Sequence, residues 1–247
     1  MKILLEIWGF AEICDHEPIG IEEVFKKTYN FIRIKNKTDF CYIAEFEDKI
    51  IISFRGTKNI RGWLSNINVF PLKNDFIISD GSWGKGTICD GFYSGWIWFK
   101  SPVAEFIKNS NKKIICTGVS RGGVLAILCA RHIAKNVGRS CSCITFGSPA
   151  PGNKYCRDEI DNLPINLTRV VNGYDIVPEV PPYILGFRQP GKLKWLHRSF
   201  IRKFFMSMRI KDHFYSSYTK SLMSYCKKRN DEEGYEKLQI ILENCNI

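Results

Sequence analysis

The sequence lacks any long apolar run and any of the common metal-binding patterns. No stretch approaches the roughly 20 consecutive apolar residues that a membrane-spanning helix needs. There is no Cys-x-x-Cys pair, and cysteine and histidine never cluster with the spacing of a zinc site. We therefore expect no membrane span and no metal, and the serine chemistry described below implies no organic cofactor.

Basic runs of the kind that bind nucleic acid are also absent, although the chain is strongly basic. Its 247 residues carry a formal net charge of +11, and no zinc-finger or RNA-binding motif is present. Nucleic acid is therefore not an expected partner. The charge favours either an anionic partner, such as an acidic lipid surface or an acidic protein, or a lysine-rich surface without a specific partner. The oligomeric state is left open.

No clear signal peptide is recognisable, because Glu6 interrupts the short apolar run that follows Lys2. The ten cysteines are an even number, so a disulfide framework has to be considered. Cys116, Cys129 and Cys143 lie inside apolar runs, however, which is typical of buried free thiols. These features favour a cytoplasmic protein, with peripheral membrane association as an alternative.

The order of apolar segments predicts an α/β protein. Helix-like spacing over residues 1–35 is followed by a predicted hairpin, and strands and helices then alternate to residue 172. Such an order predicts a mostly parallel central sheet flanked by helices. We expect a single domain over residues 1–247, in which residues 1–39 and 219–247 are peripheral, mainly helical extensions.

The run Gly118-Val119-Ser120-Arg121-Gly122 joins a predicted strand to a predicted helix. Glycines on both sides of a central serine permit a sharp turn that exposes the hydroxyl, as in a nucleophile elbow. Ser120 is therefore a candidate catalytic nucleophile. The alternative is a structural glycine turn in which the serine only caps the helix.

A serine nucleophile needs a base, and the chain has four histidines. His16 precedes the core strands and His132 lies on the predicted elbow helix, which leaves His197 and His213. We prefer His213 because it follows the last strand-like segment. Asp175 is the preferred acid, since it lies in the loop just after a buried strand.

The oxyanion of a tetrahedral intermediate needs two positioned hydrogen-bond donors. One candidate is the backbone N–H of Arg121, directly after Ser120. The other is Thr57, which ends the strand-like run Ile52-Ser53-Phe54-Arg55-Gly56-Thr57 and could offer both an N–H and a hydroxyl. On its own, Thr57 would be an ordinary threonine at a strand end.

These blocks, in this order, resemble the class 3 lipases, a fungal-lipase-like branch of the α/β-hydrolases. The resemblance runs from about residue 40 to 218 and rests on the blocks Ile52–Thr57, Thr117–Gly123, Thr145–Pro149, Val171–Pro178 and Asp212-His213. It implies the α/β-hydrolase fold, a triad of Ser120, Asp175 and His213, and Thr57 with Arg121 as oxyanion donors.

Two features bear on the substrate. The family elbow usually carries His and Leu where this chain has Val119 and Arg121, so a charged Arg121 could favour anionic head groups. By analogy with the family, residues 58–78 would form a lid whose apolar face includes Ile60, Trp63, Leu64 and Ile67. The alternative for this segment is a packed surface helix.

A second segment, residues 198–211, has the pattern of a basic amphipathic helix. One face would carry Phe200, Ile201, Phe204, Phe205 and Met208. This face would lie either in a membrane interface or against the core of the domain.

We expect a serine hydrolase that cleaves carboxylic ester bonds of lipids, either a triacylglycerol lipase or a phospholipase of the A type, through an acyl-enzyme. Its partner would be a lipid or ester substrate. Two alternatives stand beside this expectation. One is a non-catalytic scaffold that binds membranes or proteins, and the other is an esterase for small or aryl esters.

Overall fold

The computed structural model describes residues 3–16, 26, 30–35, 39–57, 77–78, 85–197, 204–228, 236, 239 and 243. Its strands are β1 (Asn30–Lys35), β2 (Phe40–Glu45), β3 (Lys49–Phe54), β4 (Ile77–Ile78), β5 (Ile88–Cys89), β6 (Lys113–Val119), β7 (Cys141–Phe146), β8 (Gly152–Asn153), β9 (Ile165–Val171), β10 (Phe187–Arg188) and β11 (Lys192–Trp195). Its α-helices are α1 (Ile3–His16), α2 (Asp90–Ile97), α3 (Lys100–Ile107), α4 (Arg121–His132), α5 (Lys154–Asp161), α6 (Met206–Asp212) and α7 (Tyr215–Lys227).

A seven-stranded sheet in the order β1-β2-β3-β6-β7-β9-β11 forms the centre of the molecule. The pairs β1/β2 and β2/β3 are antiparallel, and every later pair is parallel. This arrangement confirms the predicted hairpin and the mostly parallel, helix-flanked sheet. A small sheet, β10-β8-β5-β4, lies beside it.

Successive side chains of the central strands enter two different hydrophobic cores. Ile50 and Ile52 pack with α4 and its neighbours, whereas Ile51 points to the other face and packs with α1 and α7. Because side chains alternate along a strand and both faces are covered, the central strands are continuous apolar runs. The sheet therefore forms the middle layer of three.

The described parts of the two terminal regions pack into the domain more closely than the sequence predicted. Helix α1 lies against the sheet, and residues 4–14 of it are buried. Residues 30–35 are not helical, because β1 extends the sheet as an edge strand. In α7, Leu222 and Cys226 are fully buried. The prediction of peripheral extensions is thus wrong for α1, β1 and the part of α7 beyond residue 218.

The nine cysteines in the described part of the chain are free, and all but Cys89 are buried. Burial raises the pKa of the Cys41 and Cys143 thiols well above its usual value. These thiols therefore act as small apolar side chains in the core, as expected from the apolar runs around them.

One buried carboxyl lies between α1 and α7. Glu12 is 3% exposed, and Thr219 Oγ1 donates to its Oε1 over 3.2 Å. The same Thr219 hydroxyl accepts a 3.0 Å bond from Trp8 Nε1. Burial raises the pKa of Glu12 from 4.5 to about 7, and the hydrogen bonds from Thr219 and Trp8 oppose this rise only in part.

The raised pKa of Glu12 predicts a pH dependence of stability. The neutral carboxyl is favoured in the folded state, so its stabilising contribution is complete below pH 4.5 and is lost as the pH rises through about 7. This loss corresponds to about 3 kcal/mol. Urea unfolding from pH 4.5 to 8 should show the wild type losing about this much stability relative to Glu12→Gln. Glu6→Gln, on the same helix, serves as the control. Parallel curves for wild type and Glu12→Gln would contradict the prediction.

Candidate active site

Ser120 lies on the turn between β6 and α4, at the carboxyl end of the central parallel strands. Its backbone has φ 55° and ψ −129°, a conformation that L-residues rarely adopt and that costs about 1–3 kcal/mol. The Ser120 N–H donates to the Phe146 carbonyl over 2.9 Å, and the Gly123 N–H donates to the Ser120 carbonyl over 2.9 Å. The surrounding backbone thus holds the strained residue in place.

Two glycines permit this turn because three backbones meet there. A Cβ on Gly118 would lie 2.4 Å from the carbonyl carbon of Gly122. A Cβ on Gly122 would lie 2.3 Å from the carbonyl oxygen of Phe54, at the end of β3. No side chain fits at either position, so the glycines of the predicted elbow are required by close packing.

Asp175 and His213 form a buried pair at the same edge of the sheet. Asp175 follows β9, His213 follows α6, and His213 Nδ1 lies 2.8 Å from Asp175 Oδ2. The carboxylate oxygen accepts, so the ring proton is on Nδ1 and Nε2 is left as the basic nitrogen. Of the two candidate bases, His213 is therefore the one with an acidic partner, whereas His197 is exposed after β11.

Tyr218 is a partner of Asp175 that the sequence analysis did not find. Its hydroxyl donates to Asp175 Oδ2 over 2.8 Å and accepts the Asn172 N–H over 3.2 Å. Burial and the neighbouring Asp175 raise the pKa of Tyr218 well above its usual value, so the phenol stays protonated. The second carboxylate oxygen, Asp175 Oδ1, accepts the Val177 N–H over 2.9 Å.

The loop that carries Asp175 is tied to the segment that carries His213. Asp212 Oδ2 accepts the Tyr174 N–H over 2.9 Å, and Asn172 Nδ2 donates to the Asp212 carbonyl over 3.0 Å. Asp212 and Asn172 are both buried. Because these bonds connect residues adjacent to each member of the pair, they set the position of one relative to the other.

The hydroxyls of Ser120 and Thr57 are both buried and unpaired. Across the described residues, six buried polar side-chain atoms lack a hydrogen-bond partner, and two of them are Ser120 Oγ and Thr57 Oγ1. Buried hydroxyls are normally paired, so each such atom needs an explanation.

The predicted lid residues cannot be placed in the structure, since Ile60, Trp63, Leu64 and Ile67 lie outside the described part of the chain.

The Arg121 side chain turns away from solvent and is 18% exposed. Its Nη1 forms an ion pair with Asp39 Oδ1, and its Nη2 donates to the Gly91 carbonyl over 3.0 Å. The expectation that Arg121 favours anionic head groups is therefore wrong, because Asp39 already neutralises its charge.

A strained serine between a central parallel strand and a helix, with a buried Asp–His pair at the same edge of the sheet, is the arrangement typical of the α/β-hydrolase fold. Residues 51–184 match the model of the lipase (class 3) family. This segment is more than half of the chain, and the protein belongs to that family.

The comparisons with individual proteins agree with this assignment. The chain is 28% identical over 153 residues to secreted mono- and diacylglycerol lipase 1 of Fusarium solani, covering 60% of this chain and 44% of that protein. It is 25% identical over 202 residues to phospholipase A1-II 5 of Oryza sativa subsp. indica, covering 69% and 43%. The crystal structure of a lipase from Rhizopus microsporus var. chinensis shares its fold, with a TM-score of 0.65, 23% identity and coverage of 79% and 74%.

Two points follow from the sequence relatives. The chain spans less than half of their length. The expectation of a cytoplasmic protein is wrong, since the relative from Fusarium solani is named as a secreted lipase. That expectation rested partly on the free thiols. Their free state is explained by close packing in the core and does not indicate a cellular compartment.

Gly147 provides a test of the Asp–His pair. Its φ is +56°, and a Cβ there would lie 2.6 Å from Asp175 Oδ2 and 2.9 Å from His213 Nδ1. Gly147→Ala should separate the two side chains and lower the ester hydrolysis proposed below by about 100-fold or more. Gly138→Ala is the matched control, because its φ is +75° but no atom lies within 4 Å of the added carbon. Equal activity in the two variants would contradict the assigned role of the pair.

Proposed function

We propose that this protein is a serine hydrolase that cleaves carboxylic ester bonds of lipids. The observation that carries the proposal is the buried Asp175–His213 bond at the sheet edge where Ser120 is held in its strained turn. Family membership and relatives named as a lipase and a phospholipase A1 support a lipid ester as the substrate class.

In the proposed reaction, Ser120 Oγ attacks the ester carbonyl carbon while His213 Nε2 accepts the hydroxyl proton. Asp175 keeps the proton on Nδ1 and stabilises the imidazolium that forms. Collapse of the tetrahedral intermediate breaks the bond to the alcohol, which takes the proton from His213. Water then attacks the acyl-enzyme with His213 again as the base, which releases the acid and restores Ser120.

The negative charge on the ester oxygen would be stabilised by the Arg121 N–H and by Thr57. The N–H of Arg121 belongs to the first residue of α4, where the helix dipole also favours negative charge. The buried, unpaired Thr57 hydroxyl is available as the second donor. Donors of this kind are each worth about 3–4 kcal/mol of transition-state stabilisation.

The proposal is tested by covalent labelling with a fluorophosphonate probe. Wild-type protein should be labelled, and Ser120→Ala should not, because the probe reacts with the activated serine oxygen. His213→Ala should lose labelling, whereas His197→Ala should keep it. Absence of labelling in the folded wild type would overturn the proposed function and favour a non-catalytic scaffold.

We also propose that exposed apolar residues near the site contact an anionic lipid surface. Tyr183 and Ile184, in the loop beyond Asp175, are 71% and 90% exposed. Phe204 and Phe205, ahead of α6, are 67% and 51% exposed, which favours the interface over the core for this part of the predicted amphipathic segment. None of the described helices is long and apolar enough to cross a membrane.

The two segments that carry these exposed residues are connected through one small apolar cluster. Ile210 of α6 packs against Val177 and Val180, in the loop that leads to Tyr183. The Arg188 guanidinium lies 3.1 Å from the centroid of the Tyr183 ring. Aromatic and aliphatic side chains combined with cations are suited to the interface of an anionic membrane.

Ile184→Ser should reduce hydrolysis of lipid esters in anionic vesicles and leave hydrolysis of a soluble short-chain ester unchanged. The reason is that each apolar side chain inserted in the interface contributes to binding in proportion to its buried area. Ile97→Ser is the matched control, since Ile97 is 50% exposed but lies beside His132, at the far end of α4 from Ser120. An equal loss on vesicles and on the soluble ester would contradict a role in lipid contact.

A further inference from the structure

The Arg121 side chain is held in a slot formed by two separate segments, the residue before β2 and helix α2. Both of its terminal nitrogens face the Asp39 carboxylate, with Nη2 3.4 Å from Oδ2. Asp39 directly precedes β2, and Gly91, whose carbonyl accepts the third bond, lies in the first turn of α2. A guanidinium presented to both carboxylate oxygens is oriented as well as neutralised.

Gly95 completes the slot. A Cβ at Gly95 would lie 2.2 Å from Arg121 Nη2, so the guanidinium lies directly over the backbone of α2. Glycine inside a helix is less favourable than alanine, and this position is explained by the space that the arginine occupies.

The same contacts connect the two proposed oxyanion donors. The Phe40 carbonyl, next to Asp39, accepts the Arg55 N–H over 3.2 Å, and Arg55 is two residues before Thr57. On the other side, Gly122 touches the Phe54 carbonyl at the start of the same segment. The Arg121–Asp39 ion pair therefore links the first residue of α4 to the start of β2, and the Phe40 carbonyl there holds the segment that leads to Thr57.

We infer that Arg121 and Asp39 are a positioning pair that sets the placement of the Arg121 N–H relative to Thr57, and that the Arg121 side chain does not bind substrate. This inference rests on the proposed function, because it assigns a role within the same active site. It predicts that loss of the ion pair weakens stabilisation of the transition state while leaving substrate binding intact.

The experiment measures kcat and KM on a soluble short-chain ester for Arg121→Leu, Asp39→Asn and the double variant. Each single variant should lower kcat by about 10- to 100-fold with KM unchanged, since a small misplacement of a catalytic donor has this effect. The double variant should be no slower than Arg121→Leu alone, because both substitutions break one interaction. Arg121→Lys, which keeps the charge but loses the planar fork, should recover only part of kcat.

Gly95→Ala separates the positioning role from a general loss of stability. Only the flexible end of Arg121 has to move, and Leu125 Cδ2 would stay 3.5 Å from the new carbon. This variant should therefore fold, with a Tm at or above that of the wild type, and still show a lower kcat.

Arg131→Leu is the matched control for removal of a buried arginine from α4. Arg131 is paired with Glu159 over 2.8 Å, near the opposite end of the helix from Ser120. This variant should lower Tm without changing kcat. Unchanged kcat in both Arg121→Leu and Gly95→Ala, or a rise in KM alone, would overturn the inference. Failure of the proposed function is a separate outcome, because the wild type itself would then not react with a fluorophosphonate.

Discussion

The close approach of β3, β6 and α4 is the constraint on which the rest of the site depends. With no room for a Cβ at Gly118 or Gly122, the chain can reverse directly from the central strand into the helix. This reversal forces Ser120 into a backbone conformation with positive φ, at the N-cap position of α4. The strain is held by backbone hydrogen bonds and by a helix that is buried from Gly122 to His132.

Asp175 shows how a second element of the site is built from distant parts of the chain. Its two oxygens accept bonds from the imidazole of His213, the hydroxyl of Tyr218 and the N–H of Val177. Tyr218 in turn stacks on Trp8 of α1, with ring centroids 5.4 Å apart. The orientation of the acid is therefore set from the layer of helices opposite α4, and not only by the loop that carries it.

The sequence predicted correctly those features that depend on residues close together in the chain. The glycines around Ser120 and the alternation of strands and helices depend on neighbouring residues, and the structure has both the turn and the parallel sheet. Tyr218 could not be found in this way, because it is 43 positions from Asp175 and its sequence surroundings resemble those of any amphipathic helix. Asp39 is 82 positions from Arg121. For α1, the helix-like spacing of apolar residues indicated a helix but did not reveal that every residue from 4 to 14 is buried.

Because α1 and α7 are buried against the central sheet, the folded domain is larger than the segment that matches the family model. The family pattern ends at residue 184 and begins at residue 51, yet Ile51, Ile115 and Val119 are covered by helices outside it. Positions on those helices require side chains of suitable volume and apolar character more than they require particular residue types. Substitutions in this enclosing layer should therefore be tolerated without disturbing the site, provided that they keep the volume and the apolar character of the layer.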